Sequence, residues 1–90
     1  MSITVIFPAT NMTAEKYEEV LRRLEAAGAG APPGREYHTC HGTSDLLSVV
    51  DVWASLADFE AFGETLMPIL AEVGVEAPEP RISETHNIIT

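Results

Sequence analysis

The sequence predicts an α+β domain built on an antiparallel sheet, and three observations carry that prediction. Two stretches repeat apolar residues at helical spacing, the segments around them read as strands, and two of those strands are joined by a turn too short for a parallel crossover. Ninety residues make one domain, 1–90, with room for a single core.

The segment SITVIF opens the chain as a short strand ending at Pro8, which has no N–H to give to a ladder. From Thr13 onward Tyr17, Val20, Leu21 and Leu24 fall three and four apart, the stripe of one helix face. Thr13 is placed to cap that helix, and Glu18 with Arg22 and Glu19 with Arg23 are spaced for ion pairs on its wet side. The run GAGAPPG stops it, since glycines leave the helical conformation easily and two prolines forbid its continuation. Residues 35–42 and 46–54 then form the arms of a hairpin around GTSD. The second arm, LLSVVDVWA, is apolar on both alternating faces, so both faces need cover. In SLADFEAFGETLMPILAEVG, Ser55 with Asp58 resembles a capping box, and Phe59, Phe62, Leu66, Ile69, Leu70 and Val73 form a second helical stripe. Pro68 inside that stripe is expected to kink the helix or divide it near Thr65. Gly74 ends the helix, EAPEP is a stiff linker and RISETHNII is the last strand.

The order strand, helix, strand, strand, helix, strand is the split-βαβ or ferredoxin-like pattern βαββαβ, with a four-stranded antiparallel sheet. Both helices of such a unit lie on one face of the sheet. The other face is expected to carry Leu47, Val49 and Trp53, more contiguous apolar surface than a soluble monomer usually exposes. A second copy packed sheet against sheet about a twofold axis is the simplest cover. A chain of this size buries only roughly 60 to 65% of its unfolded surface, so association would also help its stability.

Composition excludes several partners. With 14 acidic residues against 5 basic ones, the net charge of −9 repels phosphate backbones and anionic membranes, so nucleic acid is not expected. No apolar run approaches the roughly 18 residues that span a bilayer, and MSITVIFPATNM lacks a basic leader and a cleavage pattern. The single cysteine, Cys40, excludes an internal disulfide and fits a reducing compartment, so a cytoplasmic protein is expected.

The run VVDVWASLADFEAF resembles the junction of third strand and second helix in the dimeric α+β barrel superfamily, in particular its antibiotic-biosynthesis-monooxygenase-like (ABM-like) domains, and the element order extends the resemblance over nearly the whole chain. The resemblance implies a homodimer closing a barrel around a ligand pocket. It also implies an activity among cofactor-independent quinol-type monooxygenases, haem-degrading enzymes, isomerases or proteins of no assigned reaction. The haem-degrading branch uses an asparagine on the first strand, a tryptophan ending the third and a histidine on the second helix. Trp53 matches the tryptophan, but Ile3 to Phe7 holds no asparagine and Ser55 to Val73 no histidine, so haem is not expected.

The polar residues of REYHTCHG and of the strand after it decide where chemistry could sit. A two- or four-residue turn places His38 opposite Val49, Cys40 opposite Leu47 and Glu36 opposite Asp51. His38, Cys40, Asp51 and Trp53 then share the face away from the helices, while Tyr37, Thr39 and His41 point toward the helices or the rim. Asp51 interrupts an apolar strand, and an unpaired buried carboxylate is costly, so it needs a partner. His38 is within reach. An Asp-His pair could orient the imidazole to move a proton on a bound phenol or enol. The more common role of such a pair is structural, a buried polar pair or an interface contact that only satisfies itself.

Trp53 offers either packing or a flat wall for an aromatic or polyketide-like ligand, with Val49, Leu47 and Cys40 beside it. Tyr37 could donate a hydrogen bond or pack. His86 shares parity with Ile82, Glu84 and Ile88 and is expected at the same interior. His38, Cys40, His41 and His86 could supply metal ligands, but His38 and His41 differ in parity and no CxxC or HExxH spacing exists, so no metal is expected. Cys40 reads as a small buried hydrophobe rather than a nucleophile, and no glycine-rich phosphate loop supports a nucleotide or flavin. Two functions remain: a cofactor-independent, monooxygenase-like or binding barrel, or a non-catalytic module for self-association or protein binding.

Overall fold

The computed structural model of the chain describes residues 1–89. Its elements are β1 (Ile3–Phe7), α1 (Ala14–Ala26), β2 (Arg35–Thr43), β3 (Leu46–Trp53), α2 (Leu56–Val73) and β4 (Arg81–Glu84). The strands form one antiparallel sheet in the order β2-β3-β1-β4, the ferredoxin-like arrangement.

The predicted helix ends hold in detail. Thr13 accepts the amide of Lys16 and Ser55 that of Asp58, each satisfying an N–H that the first turn leaves free. Gly74 adopts the left-handed conformation, φ 88°, that closes α2. Of the expected ion pairs, Glu19 meets Arg23 at 2.7 Å, while Arg22 turns to the same Glu19 rather than to Glu18. Pro68 does not divide α2, which runs as a single helix through it. A proline deletes one backbone hydrogen bond, and here the surrounding apolar stripe, with Phe62 and Leu70 buried against the core, holds the helix together across the gap.

The last strand is shorter than expected. Glu84 pairs with Ile3, the first residue of β1, and the Thr85 N–H reaches the Ser2 carbonyl. His86 lies beyond the strand and is exposed.

The faces of the sheet are exchanged relative to expectation. Val5 and Trp53 are fully buried with Val20, Leu24, Phe62 and Leu70 of the helices, so the face carrying Val5, Val49, Asp51 and Trp53 is the covered one. The open face carries Thr4, Ile6, Tyr37, Thr39, Val50 and Val52. Strand β3 is apolar on both sides, so alternation alone could not say which side meets the helices. An indole can be fully buried within one chain only where helices cover it, and the larger set went inside. Leu47, Val49 and Trp53 accordingly belong to the interior, while Ile6, Tyr37 and Leu46 are exposed on the far side.

Candidate functional site

The hairpin turn is two residues, Ser44 and Asp45, but the register sits two residues from the expected one: His38 is opposite Asp51, Cys40 opposite Val49 and Gly42 opposite Leu47. A shift of two preserves parity, so His38, Cys40, Asp51 and Trp53 do share a face. That face looks at the helices. At the start of β2 a bulge at Glu36 leaves Arg35 opposite Trp53 and Tyr37 opposite Val52. Without the bulge Arg35 and Tyr37 would point the same way; with it, Arg35 is aimed inward and Tyr37 outward.

Three side chains on three elements form one hydrogen-bonded line. Asp51 on β3, nearly fully buried, meets His38 on β2 with Oδ1 to Nδ1 at 2.5 Å, and His38 Nε2 meets the hydroxyl of Tyr17 on α1 at 2.7 Å. The Tyr17 and His38 rings lie almost parallel, 5° apart. A carboxylate only accepts hydrogen bonds, so Nδ1 carries the imidazole proton and Nε2 of the neutral ring accepts from Tyr17. Every member of the line is satisfied, which resolves the cost that Asp51 would otherwise impose in an apolar strand. Burial raises the Tyr17 phenol above its ordinary pKa, Cys40 and Asp51 add to the rise, and the positive charge of Arg35 opposes it.

This line forms the polar end of a cavity of about 80 Å³ between sheet and helices. Its walls are mostly apolar: Phe7, Val20, Leu24, Phe62, Leu66 and Leu70. Leu47 and Val49 floor it from β3, and Arg35 joins His38, Asp51 and Tyr17 among its polar groups. Pro8, Thr10 and Met12 of the β1–α1 loop and Val75 and Pro78 of the α2–β4 linker complete the wall. Those two loops are stitched together. Thr10 donates to the carbonyl of Glu76 at 2.6 Å, and the Asn11 amide spans the Gly74 carbonyl at 3.1 Å and the Glu76 N–H at 2.7 Å.

Of the residues singled out from sequence, His38, Asp51, Leu47 and Val49 come together at this cavity. Three do not. Trp53 lies in the core, its ring centre 5.8 Å from that of Phe59 and 5.2 Å from that of Phe62, with its Nε1 lacking any partner among the described residues. Cys40 is on the same face but outside the cavity wall, and burial pushes its thiol pKa up, away from nucleophilic use. His86, exposed beyond β4, is not among the residues that line this cavity. Sequence reasoning missed Tyr17 and Arg35. Tyr17 hid in an apolar helical stripe, its hydroxyl the only sign of a second role; Arg35 depends on a bulge that alternation does not reveal. Among the described residues no group of three His, Cys, Asp or Glu side chains is gathered as a metal site would require, and no helix is long and apolar enough to cross a membrane.

No family model and no curated protein matches the chain. Solved structures do. A mutant of SnoaB, a cofactor-independent oxygenase from Streptomyces nogalater, superposes with a TM-score of 0.70 at 17% identity, covering 98% of this chain and 96% of that one. A protein from Chloroflexus aurantiacus, provisionally assigned as an antibiotic biosynthesis monooxygenase, gives 0.65 at 16% identity, over 100% of this chain and 98% of the other. A provisionally assigned monooxygenase from Shewanella loihica gives 0.57 at 24% identity, over 97% and 96%. Across nearly its whole length, the chain therefore carries the ferredoxin-like α+β fold of the antibiotic-biosynthesis-monooxygenase-like proteins.

Proposed function

We propose that the chain binds a small aromatic or enolic molecule in the cavity between sheet and helices and acts on it as a cofactor-independent, monooxygenase-like enzyme. The observation that carries the reading is the Asp51–His38 pair set at the polar end of an otherwise apolar cavity. An apolar space with a few convergent polar groups is the usual form of a small-molecule site. The carboxylate holds the imidazole in one tautomer and stabilises the cation formed when the ring takes a proton. Deprotonating a phenol or enol makes it electron-rich enough to react with oxygen directly, so a positioned base is the main thing such chemistry asks of the protein. The oxygenase activity of SnoaB, on the same fold, supports the direction of this reading but does not supply it.

Size narrows the ligand. A cavity that accepts benzene measures about 150 Å³, and this one holds about 80 Å³. A single ring or the enolic tip of a larger compound fits with modest adjustment. A polycyclic, polyketide-like compound exceeds this volume and would leave part of itself outside the cavity.

The open face of the sheet, with Ile6, Tyr37, Leu46 and Val50, supports self-association as a homodimer. In this arrangement the cavity lies on the far side of the sheet from the partner, so dimerisation and ligand binding are separable. The experiment is a screen of single-ring phenols and hydroquinones by thermal shift and oxygen uptake, with light scattering to record the oligomer. His38→Ala should keep the dimer while lowering turnover by about 10² to 10⁴-fold. A dimeric wild-type protein that neither binds nor oxidises any of them would move the reading to a non-catalytic association module.

A further inference from the structure

We propose that Tyr17, rather than His38, is the group that touches the ligand, relaying the ligand's hydroxyl proton to the imidazole behind it. This deepens the reading above and rests on it. His38 has two nitrogens, and both are engaged: Nδ1 with Asp51 at 2.5 Å and Nε2 with the Tyr17 hydroxyl at 2.7 Å. Neither is left for a ligand. The Tyr17 oxygen has spent its one proton on Nε2 and keeps lone pairs that can accept. The line therefore ends, on the cavity side, in an acceptor.

That polarity selects a ligand class. An acceptor at the end of the line takes a hydroxyl donor, such as a phenol or enol, and offers nothing to a bare carbonyl. In the transfer, the ligand O–H bond breaks and its proton bonds to the Tyr17 oxygen. The original Tyr17 proton passes to Nε2, leaving a ligand oxyanion and an imidazolium braced by Asp51. The step separates one positive and one negative charge, leaves the net charge unchanged and needs no oxidant. Arg35 lines the same cavity, its guanidinium 6.0 Å from the Phe62 ring centre, and its positive charge acts on the Tyr17 phenol, so it favours an anion at that hydroxyl. The elevated pKa of the phenol keeps it protonated at neutral pH, as a relay requires.

A coloured phenol reads this step without knowledge of the natural substrate. With 4-nitrophenol, binding quenches Trp53 fluorescence and ionisation shows as the phenolate absorbance band. Wild-type protein should bind the probe saturably and raise its ratio of ionised to un-ionised form by about tenfold or more, equivalent to one pKa unit. Tyr17→Phe should still bind it and lose that gain, and His38→Gln should do the same. Ionisation by Tyr17→Phe equal to wild type overturns the relay while leaving the binding reading intact. A wild-type protein that leaves colour and fluorescence unchanged overturns the binding reading and the relay together.

A second measurement uses the native site, in case Tyr17→Phe fails to fold. The chain has two tyrosines, and Tyr37 faces the other side of the sheet. In Tyr37→Phe protein carrying ring-labelled tyrosine, the single Cζ resonance belongs to Tyr17 and should shift as the probe saturates. A resonance that stays fixed while the probe binds overturns the relay.

Discussion

Around Trp53 the layer between sheet and helices is filled by rings, with the indole fully buried against Phe59 and Phe62; earlier on the same face of the same strand, around Val49 and Asp51, the layer leaves a cavity and holds a polar line. Among the described residues Nε1 of Trp53 in the filled region has no partner, whereas the hollow region satisfies every polar atom of Asp51, His38 and Tyr17 that the line uses. Stability and chemistry are thus separated along one strand. Packing alone makes Trp53 worth keeping despite an orphaned donor, and hydrogen bonding alone makes Asp51 tolerable in an apolar layer.

The largest break in this comparison is Trp53→Ala. Removing a fully buried indole leaves a void that the neighbouring rings cannot fill, and the expected loss is about 3 to 5 kcal/mol in urea unfolding. Domains are typically stable by only about 5 to 15 kcal/mol, so this variant is expected near the edge of folding. Trp53→Phe sharpens the point. It keeps a ring against Phe59 and Phe62 and deletes the orphaned N–H, so its cost should fall well under half that of alanine. Equal costs for the two variants would mean that the indole N–H has a role that packing does not explain.

Next in size is Asp51→Ala, which strands the Nδ1 proton of His38 in a largely buried place. The expected loss is about 1 to 3 kcal/mol. Asp51→Asn keeps an acceptor for that proton and should lose less, yet it withdraws the charge that stabilises the imidazolium. Stability and ionisation of a bound phenol should therefore part company in this variant. If both are unchanged, Asp51 is only a filler of the layer.

The architecture was readable because its signals are local. Thr13, Ser55 and Gly74 act within a turn of chain, and the helical stripes need only their own spacing. What could not be read is which face of an all-apolar strand meets the helices, since Val49 and Val50 look alike until the whole chain packs. The Asp51–His38 pairing was foreseeable as a need of the carboxylate, although the register that delivers it, His38 directly opposite rather than diagonal, belongs to the turn. Tyr17 and Arg35 lay beyond reach for different reasons. One is supplied by a helix far away in sequence and the other by a bulge.

The smallest effect is a change in alkaline stability, and it isolates Tyr17. Its phenol pKa is raised above the ordinary 10.0 in the folded chain, so as pH climbs past 10.0 the unfolded chain has released a proton that the folded one still holds. The contribution is complete below that pH and is lost as pH rises toward the folded value. Wild-type stability should consequently fall in this window, and Tyr17→Phe, with no proton to lose, should fall less. Cys40 has the same sign in a lower window, because burial raises its thiol above 9.0, and comparing the two proteins at each pH cancels it only where the thiol's own surroundings are unchanged. Cys40→Ser in both backgrounds removes that coupling. If wild type and Tyr17→Phe then decline in parallel, the phenol is as free in the folded chain as in water. A steeper decline in wild type marks a hydroxyl held in its protonated form against the hollow end of the layer.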